Sequence, residues 1–258
     1  MLMEDLNMKH VSAKFVPWLL TEDQKNNCLN VCYDLREHVR NDPQILSKVV
    51  TRDETWCYGY DPETKQALSQ WKAPNSPKVK KGQQVQLKVN IMLISFFYAN
   101  GIVHKEFVPP GQTVNQQFYL KVLKRLCDSV RKKRPEMWSS GDLFLHHDNA
   151  PAHTALSVQQ FLAINNMTVI PHTPYSPDLA PCDFFLFPRM KGQMKGKCFA
   201  DVSEVKKKTL EVLKNISTEE FQKCFQQWEK RWYKCIESKG GYFEGDKSYN
   251  SIKPNKPF

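Results

Sequence analysis

Asp53, Asp148 and Asp183 stand where an ionised side chain is costly. Asp53 interrupts Val49-Val50-Thr51-Arg52-Asp53-Glu54-Thr55-Trp56, a β-branched run that reads as a strand. Asp148 ends Leu143-Phe144-Leu145-His146-His147-Asp148, a second strand, and Asp183 lies in Pro181-Cys182-Asp183-Phe184-Phe185-Leu186-Phe187. A carboxylate in apolar surroundings must be paired or must bind a metal. One such Asp is most simply a helix cap; three at the margins of apolar elements point to carboxylates converging on divalent cations. Mg²⁺ takes hard oxygen ligands, commonly one or two carboxylates plus substrate phosphates. Two such ions about 3.5–4 Å apart serve in-line displacement at phosphorus.

The whole chain agrees with an anionic substrate. Its 258 residues carry 37 Lys and Arg against 27 Asp and Glu, a net charge of +10. Nucleic acid is the first partner this favours and an acidic membrane surface the second. Two basic runs, Lys78-Val79-Lys80-Lys81 and Arg131-Lys132-Lys133-Arg134, are candidate phosphate contacts, with a solvated surface as the plain alternative. No apolar run is long enough to cross a membrane and no signal peptide is visible. The eight cysteines form no Cys-x-x-Cys pair and no zinc spacing, so they read as free, buried thiols in a reducing compartment.

The elements that must position the aspartates follow from periodicity and punctuation. Thr21 and Gln24 form a capping box for a helix with Cys28, Val31, Cys32 and Leu35 on its apolar stripe, ending at Asn41-Asp42-Pro43. Strand one is expected over 48–59. Residues 61–84 are polar, rich in Lys and Pro, and too long for an ordinary turn. Strands over 86–98 and 102–108 flank Asn100-Gly101, a hairpin signal. Thr113 and Gln116 are expected to cap a helix carrying Phe118, Val122, Leu123, Leu126 and Val130. A strand at 142–148 leads to Asp148, with Asn149 as the cap of the next helix and Pro151 in its first turn. A short strand at 167–171, the Asp183 helix, a helix capped at Asp201 and one boxed by Ser217 and Glu220 complete the order. Phe221, Cys224, Phe225, Trp228, Trp232 and Cys235 recur at helical spacing and read as core. Residues 240–258 are expected to form a loose tail. The sum is an α/β fold with a mixed central sheet flanked by helices.

Three words of the sequence then agree with one family. Thr51-Arg52-Asp53-Glu54-Thr55-Trp56, His146-His147-Asp148-Asn149-Ala150-Pro151-Ala152-His153 and Tyr175-Ser176-Pro177-Asp178-Leu179-Ala180-Pro181-Cys182-Asp183-Phe184 resemble the catalytic motifs of mariner-family DNA transposases. The 34 residues from 149 to 182 that separate the last two aspartates match that family's spacing. The resemblance runs from about Lys14 to Asp246. It implies an RNase H-like fold over 46–240, preceded by a linker and N-terminal helix over 1–45. It also implies metal-dependent DNA cleavage and strand transfer by a cut-and-paste route, with Asp53, Asp148 and Asp183 holding two Mg²⁺ or Mn²⁺ ions. The partners implied are double-stranded transposon-end DNA, a TA-containing target and a second copy of the chain; the location implied is the nucleus.

Further correspondences are carried by the same resemblance. Phe15-Val16-Pro17-Trp18-Leu19-Leu20 resembles the family's linker motif at Val16, Pro17 and Leu20, and 61–84 resembles its clamp loop, which reaches a second subunit. Lys78, Lys80, Lys81, Arg131, Lys132 and His153 are the candidate DNA contacts; His146, His147 and His153 are otherwise packing neighbours, since neutral imidazole is a poor ligand for Mg²⁺. Two departures stand out. The family's two helix-turn-helix units lie before the point where this chain begins, and Arg52 stands where the family has Gly. Alternation along a strand predicts that Arg52 and Glu54 face away from Asp53. An enzyme and a decayed remnant that binds DNA or dimerises with intact relatives are the two readings the residues leave open.

Overall fold

The computed structural model describes residues 16–61 and 89–243. Lys78, Lys80, Lys81, the clamp-like stretch from 62 onwards and the tail beyond 243 lie outside the described residues.

Helix α1 (Glu22–Asn41) starts at the Thr21–Gln24 box, in which both reciprocal bonds form. A 3₁₀ turn, Ile45–Lys48, leads into β1 (Val49–Tyr58). Strands β2 (Asn90–Tyr98) and β3 (Gly101–Phe107) form a hairpin, with Gly101 at a φ of 125° in the turn. Helix α2 (Gln116–Lys133) and the short α3 (Pro135–Ser139) precede β4 (Leu143–His146). Helices α4 (Pro151–Thr154) and α5 (Leu156–Ile164) lead to β5 (Met167–Ile170). A 3₁₀ turn at Pro177–Leu179 and a π-helical turn at Cys182–Leu186 run into α6 (Phe187–Met194), followed by α7 (Val202–Lys214) and α8 (Thr218–Glu237).

The sheet order is β3-β2-β1-β4-β5. β1 pairs antiparallel with β2 and parallel with β4, and β4 pairs parallel with β5, so the sheet is mixed as expected. β1 lies at its centre, between β2 and β4, and packs against helices on both faces. Even-numbered positions Val50, Ile94 and Phe96 pack with Tyr119, Val122, Leu123 and Leu126 of α2 and Val158 and Leu162 of α5. Odd-numbered Val49, Cys57, Ile91, Leu93 and Phe97 pack with α1, α6, α7 and α8, including Phe221, Phe225, Trp228 and Trp232. A residue's parity on β1 therefore decides which helical layer it meets.

Four expectations are corrected. Asn115, not Thr113, caps α2: its side chain accepts from the Phe118 amide. Asn149 caps nothing; its amide donates to the His172 carbonyl at 2.6 Å, and α4 starts without a side-chain cap. Residues 240–243 are not loose. Gly240, at a φ of 78°, lies so close to α1 that an added Cβ would stand 2.3 Å from the Lys25 carbonyl oxygen, and Phe243 is buried. Seven of the eight cysteines are buried as expected, but Cys198 is exposed.

Candidate functional site

β1 delivers Asp53 at mid-strand, opposite Ser95 of β2. Odd parity turns it toward the layer of α6 and α8. Asp148 stands two residues past the end of β4, the parallel neighbour of β1. Asp183 lies in the π-helical turn, which is anchored from α8: the Trp228 indole donates to the Leu179 carbonyl at 2.7 Å just before it. The widened turn lets the chain pass from the Ser-Pro-Asp-Leu loop to α6 while presenting Asp183 toward the sheet. Three separate elements thus bring the three aspartates to one cavity of about 500 Å³, which Arg52, His172 and Tyr175 also line.

Their electrostatic states differ. Burial pushes the Asp53 carboxyl well above the usual carboxylate range, and repulsion by Asp183 adds to it. Burial likewise pushes Asp183 up to about 6, with Lys191 opposing and Asp148 adding. Asp148 moves the other way. Burial would raise it, but a hydrogen bond from His153 and the charge of Arg52 outweigh that and hold it at about 2. Asp53 and Asp183 form no salt bridge among the described residues, and Asp53 has only the Glu54 amide as a hydrogen-bond donor, at 2.7 Å.

Arg52 reaches further than strand alternation alone indicates. Its parity is as expected, toward the α2 layer, yet it does not stay clear of the acidic site. Its side chain is fully buried, and its Nη1 lies 3.7 Å from Asp148 Oδ1. The same nitrogen meets His153 at 2.9 Å to Nε2 and 3.2 Å to Nδ1, and Nη2 pairs with Glu54. His153 Nδ1 also bonds Asp148 Oδ1 directly. His153 is buried in this network; nothing in residue type alone placed it beside Arg52. Arg131 and Lys132 are exposed at the end of α2, where Arg131 pairs with Asp128 and covers the Trp138 ring at 4.3 Å.

The histidines beside Asp148 pack as anticipated. His146 Nε2 meets His172 Nδ1 at 3.1 Å, and His147 Nδ1 meets the Tyr119 hydroxyl at 3.0 Å. Burial holds His147 down at about 3 and His172 at about 4, so both are neutral at pH 7.

The donor set suits a hard divalent cation in part. Asp53 and Asp183 are crowded carboxylates whose charge is costly without a cation, and all three candidates offer oxygen. Asp148 fits less directly, because one of its oxygens is held by His153 and Arg52. Among the described residues, no three His, Cys, Asp or Glu side chains converge closely enough to hold one ion.

The description "Transposase (partial DDE domain)" matches residues 61–140, between Asp53 and Asp148. The Mariner Mos1 transposase of Drosophila mauritiana is 32% identical over 234 residues, covering 90% of this chain and 66% of Mos1. Histone-lysine N-methyltransferase SETMAR of Homo sapiens is 29% identical, covering 93% of this chain and 37% of SETMAR. The chain therefore spans about two thirds of the first relative and just over a third of the second. The crystal structure of the Mos1 mariner catalytic domain superposes with a TM-score of 0.74 at 30% identity, over 89% of this chain and all of that domain. The Mos1 paired end complex with Mn superposes at 0.82, over 94% of this chain and 70% of that one. A mixed five-stranded RNase H-like sheet, the order of its flanking helices and this likeness over a complete catalytic domain lead to one conclusion: the chain belongs to the mariner family of DNA transposases and spans the family's catalytic domain.

Proposed function

We propose that this chain cleaves DNA strands and joins them to a target with the help of divalent cations, and that Asp53, Asp148 and Asp183 are the ligands. One observation carries the reading: three aspartates from β1, the β4 terminus and the π-helical turn line one cavity, two of them at a high electrostatic cost. Mg²⁺ or Mn²⁺, two ions in this reading, would supply charge neutralisation at phosphorus and a more acidic attacking water. The chain's own residues do the rest. Asp53 and Asp183 hold the negative end of the cleft in an apolar setting, where fixed charge acts most strongly. The neutral His146 and His172 wall the cleft without competing as cations. Arg131 and Lys132, with Lys78, Lys80 and Lys81 outside the described residues, attract the phosphate backbone.

Mos1 has been solved as a paired-end complex with a left transposon end, as a strand transfer complex and with Mg or Mn. By analogy we assign transposon-end duplex, a TA-containing target and a second copy of the chain as partners here, and the nucleus as the location. No helix among the described residues is long and apolar enough to cross a membrane. A specific observation favours a second reading, a decayed site that only binds DNA or other transposase copies: the Arg52 charge and a His153 hydrogen bond already engage Asp148. Plasmid nicking separates the two. Cleavage is expected only with Mg²⁺ or Mn²⁺ and should vanish in Asp148→Ala with the fold retained. Equal nicking by both proteins would mean that the cleft is not the source, and no nicking by the wild type at any metal concentration would favour the decayed reading.

A further inference from the structure

We propose that Arg52 is a resident counter-ion of the acidic cleft: it holds Asp148 with the positive charge that a divalent cation would otherwise bring, and so sets the cation concentration at which the cleft fills. The inference rests on the reading of the cleft as a cation site.

The geometry is that of a competitor. A metal ligand must offer a lone pair of its oxygen to the ion. Oδ1 of Asp148 already receives His153 Nδ1 and stands 3.7 Å from Arg52 Nη1. Arg52 in turn is tied to His153 by Nη1 and to Glu54 by Nη2, and its guanidinium carbon sits 4.7 Å from the Tyr119 ring centroid. With 0% of its side chain exposed, this charge is not dispersed by water. Removing a buried partner leaves the other charge uncompensated, which makes such pairs hard to open. The ties of Arg52 to His153 and Glu54 therefore keep a fixed cation next to the cleft.

Arg52 Nε is buried with no hydrogen-bond partner among the described residues. Glu54 alone would suffice to neutralise the guanidinium, so its extension through His153 to Asp148 is not required by charge balance. Asp148 borders both the acidic cavity and a second cavity of about 680 Å³ lined by Glu54 and His153. Arg52 itself lines the acidic cavity with Asp53, Asp148 and Asp183, while its partners Glu54 and His153 line the second one, so the cluster engages Asp148 where the two cavities meet.

The test is Mn²⁺ binding without DNA, read by electron paramagnetic resonance of the free ion. Arg52→Gln with Glu54→Gln removes both buried charges together and should bind Mn²⁺ at least tenfold more tightly than wild type or Glu54→Gln alone. Adding Asp148→Asn should erase the gain. Should the double variant fail to fold by circular dichroism, Arg52→Lys serves: its ammonium cannot bridge Glu54 and His153 at once, and binding should tighten threefold or more. Affinity equal to or weaker than the matched control in a folded variant overturns the proposal, while loss of Mn²⁺ in Asp53→Asn and Asp183→Asn would keep the cation site standing. If those two variants bind Mn²⁺ as wild type does, the cation site itself is wrong and the role of Arg52 falls with it.

Discussion

Thr51 and His146 are register partners in the parallel β1–β4 pair, and their side chains also bond, Thr51 Oγ1 to His146 Nδ1, at 3.0 Å. The contact lies two residues from both Asp53 and Asp148, so it locks the relative height of the two strands that carry them. Thr51→Val keeps the shape and leaves a buried imidazole nitrogen without its partner, at an expected cost of about 1–3 kcal/mol. Urea unfolding should show a lower midpoint with an unchanged slope. An unchanged midpoint would mean that the bond carries no net stability.

Asp183 should destabilise the metal-free fold. An acid whose folded pKa is raised, here to about 6, is neutral in the folded chain where the unfolded chain has already ionised. Stability therefore falls as pH rises through the window from about 4 to 6, and the loss is complete above it. Two pKa units correspond to about 3 kcal/mol, an upper figure for a partly buried group. In chelator at pH 7.5, Asp183→Asn should melt higher than wild type, and the difference should shrink toward pH 4. Mg²⁺ should raise the wild-type melting temperature and leave the variant unmoved. A variant that melts lower in chelator would make Asp183 a structural residue.

The opposite sign is expected at Glu106. Arg125 of α2 grips this β3 carboxylate with two bonds of 2.7 and 2.8 Å, and His104 adds a third at 3.3 Å. Burial pushes the carboxyl up, but His104 and Arg125 outweigh it and hold it at about 2. The stabilisation is therefore full above about 4.3, the unfolded value, and is lost as pH falls toward 2. Because the Arg125 side chain is 46% exposed, solvent screening reduces the contribution to about 1 kcal/mol. Glu106→Gln should be less stable by that amount at pH 7, with the gap narrowing from about pH 4 downward and closing only below about pH 2. A gap that stays constant across that range would show that the loss is one of packing.

DNA binding by this chain should be insensitive to sequence and steeply dependent on salt. A +10 net charge attracts the phosphate backbone, and each neutralised phosphate releases counter-ions. Transposon-end and scrambled duplexes should bind with nearly equal affinity at one salt concentration. A tenfold preference, about 1.4 kcal/mol, would show that the catalytic domain reads bases.

Local signals were legible in the sequence where a single residue pair decides the outcome. The boxes at Thr21–Gln24 and Ser217–Glu220 and the cap at Asp201 form as written, because each needs only its own helix turn. Parity on β1 correctly sent Asp53 and Arg52 to opposite layers. It could not show that Arg52 is long enough to reach Asp148 past the end of β4, because that contact depends on where α4 places His153. Asn149 fails as a cap for a similar reason: its amide is used across the cleft by the His172 carbonyl, a partner 23 residues away. Gly240 looked like the start of a tail because the close approach of α1 at Lys25 is invisible in composition. The three aspartates were legible by type and spacing; the state of Asp148 was not, because tertiary contacts set it.

The most direct test of the cation site is anomalous scattering from crystals soaked in Mn²⁺. Two peaks about 3.5–4 Å apart are predicted, within about 2.0–2.3 Å of carboxylate oxygens of Asp53, Asp148 and Asp183, with Arg52 Nη1 displaced from Asp148. A saturating soak that leaves the cleft without a peak, or places the ions on other side chains, would contradict the account.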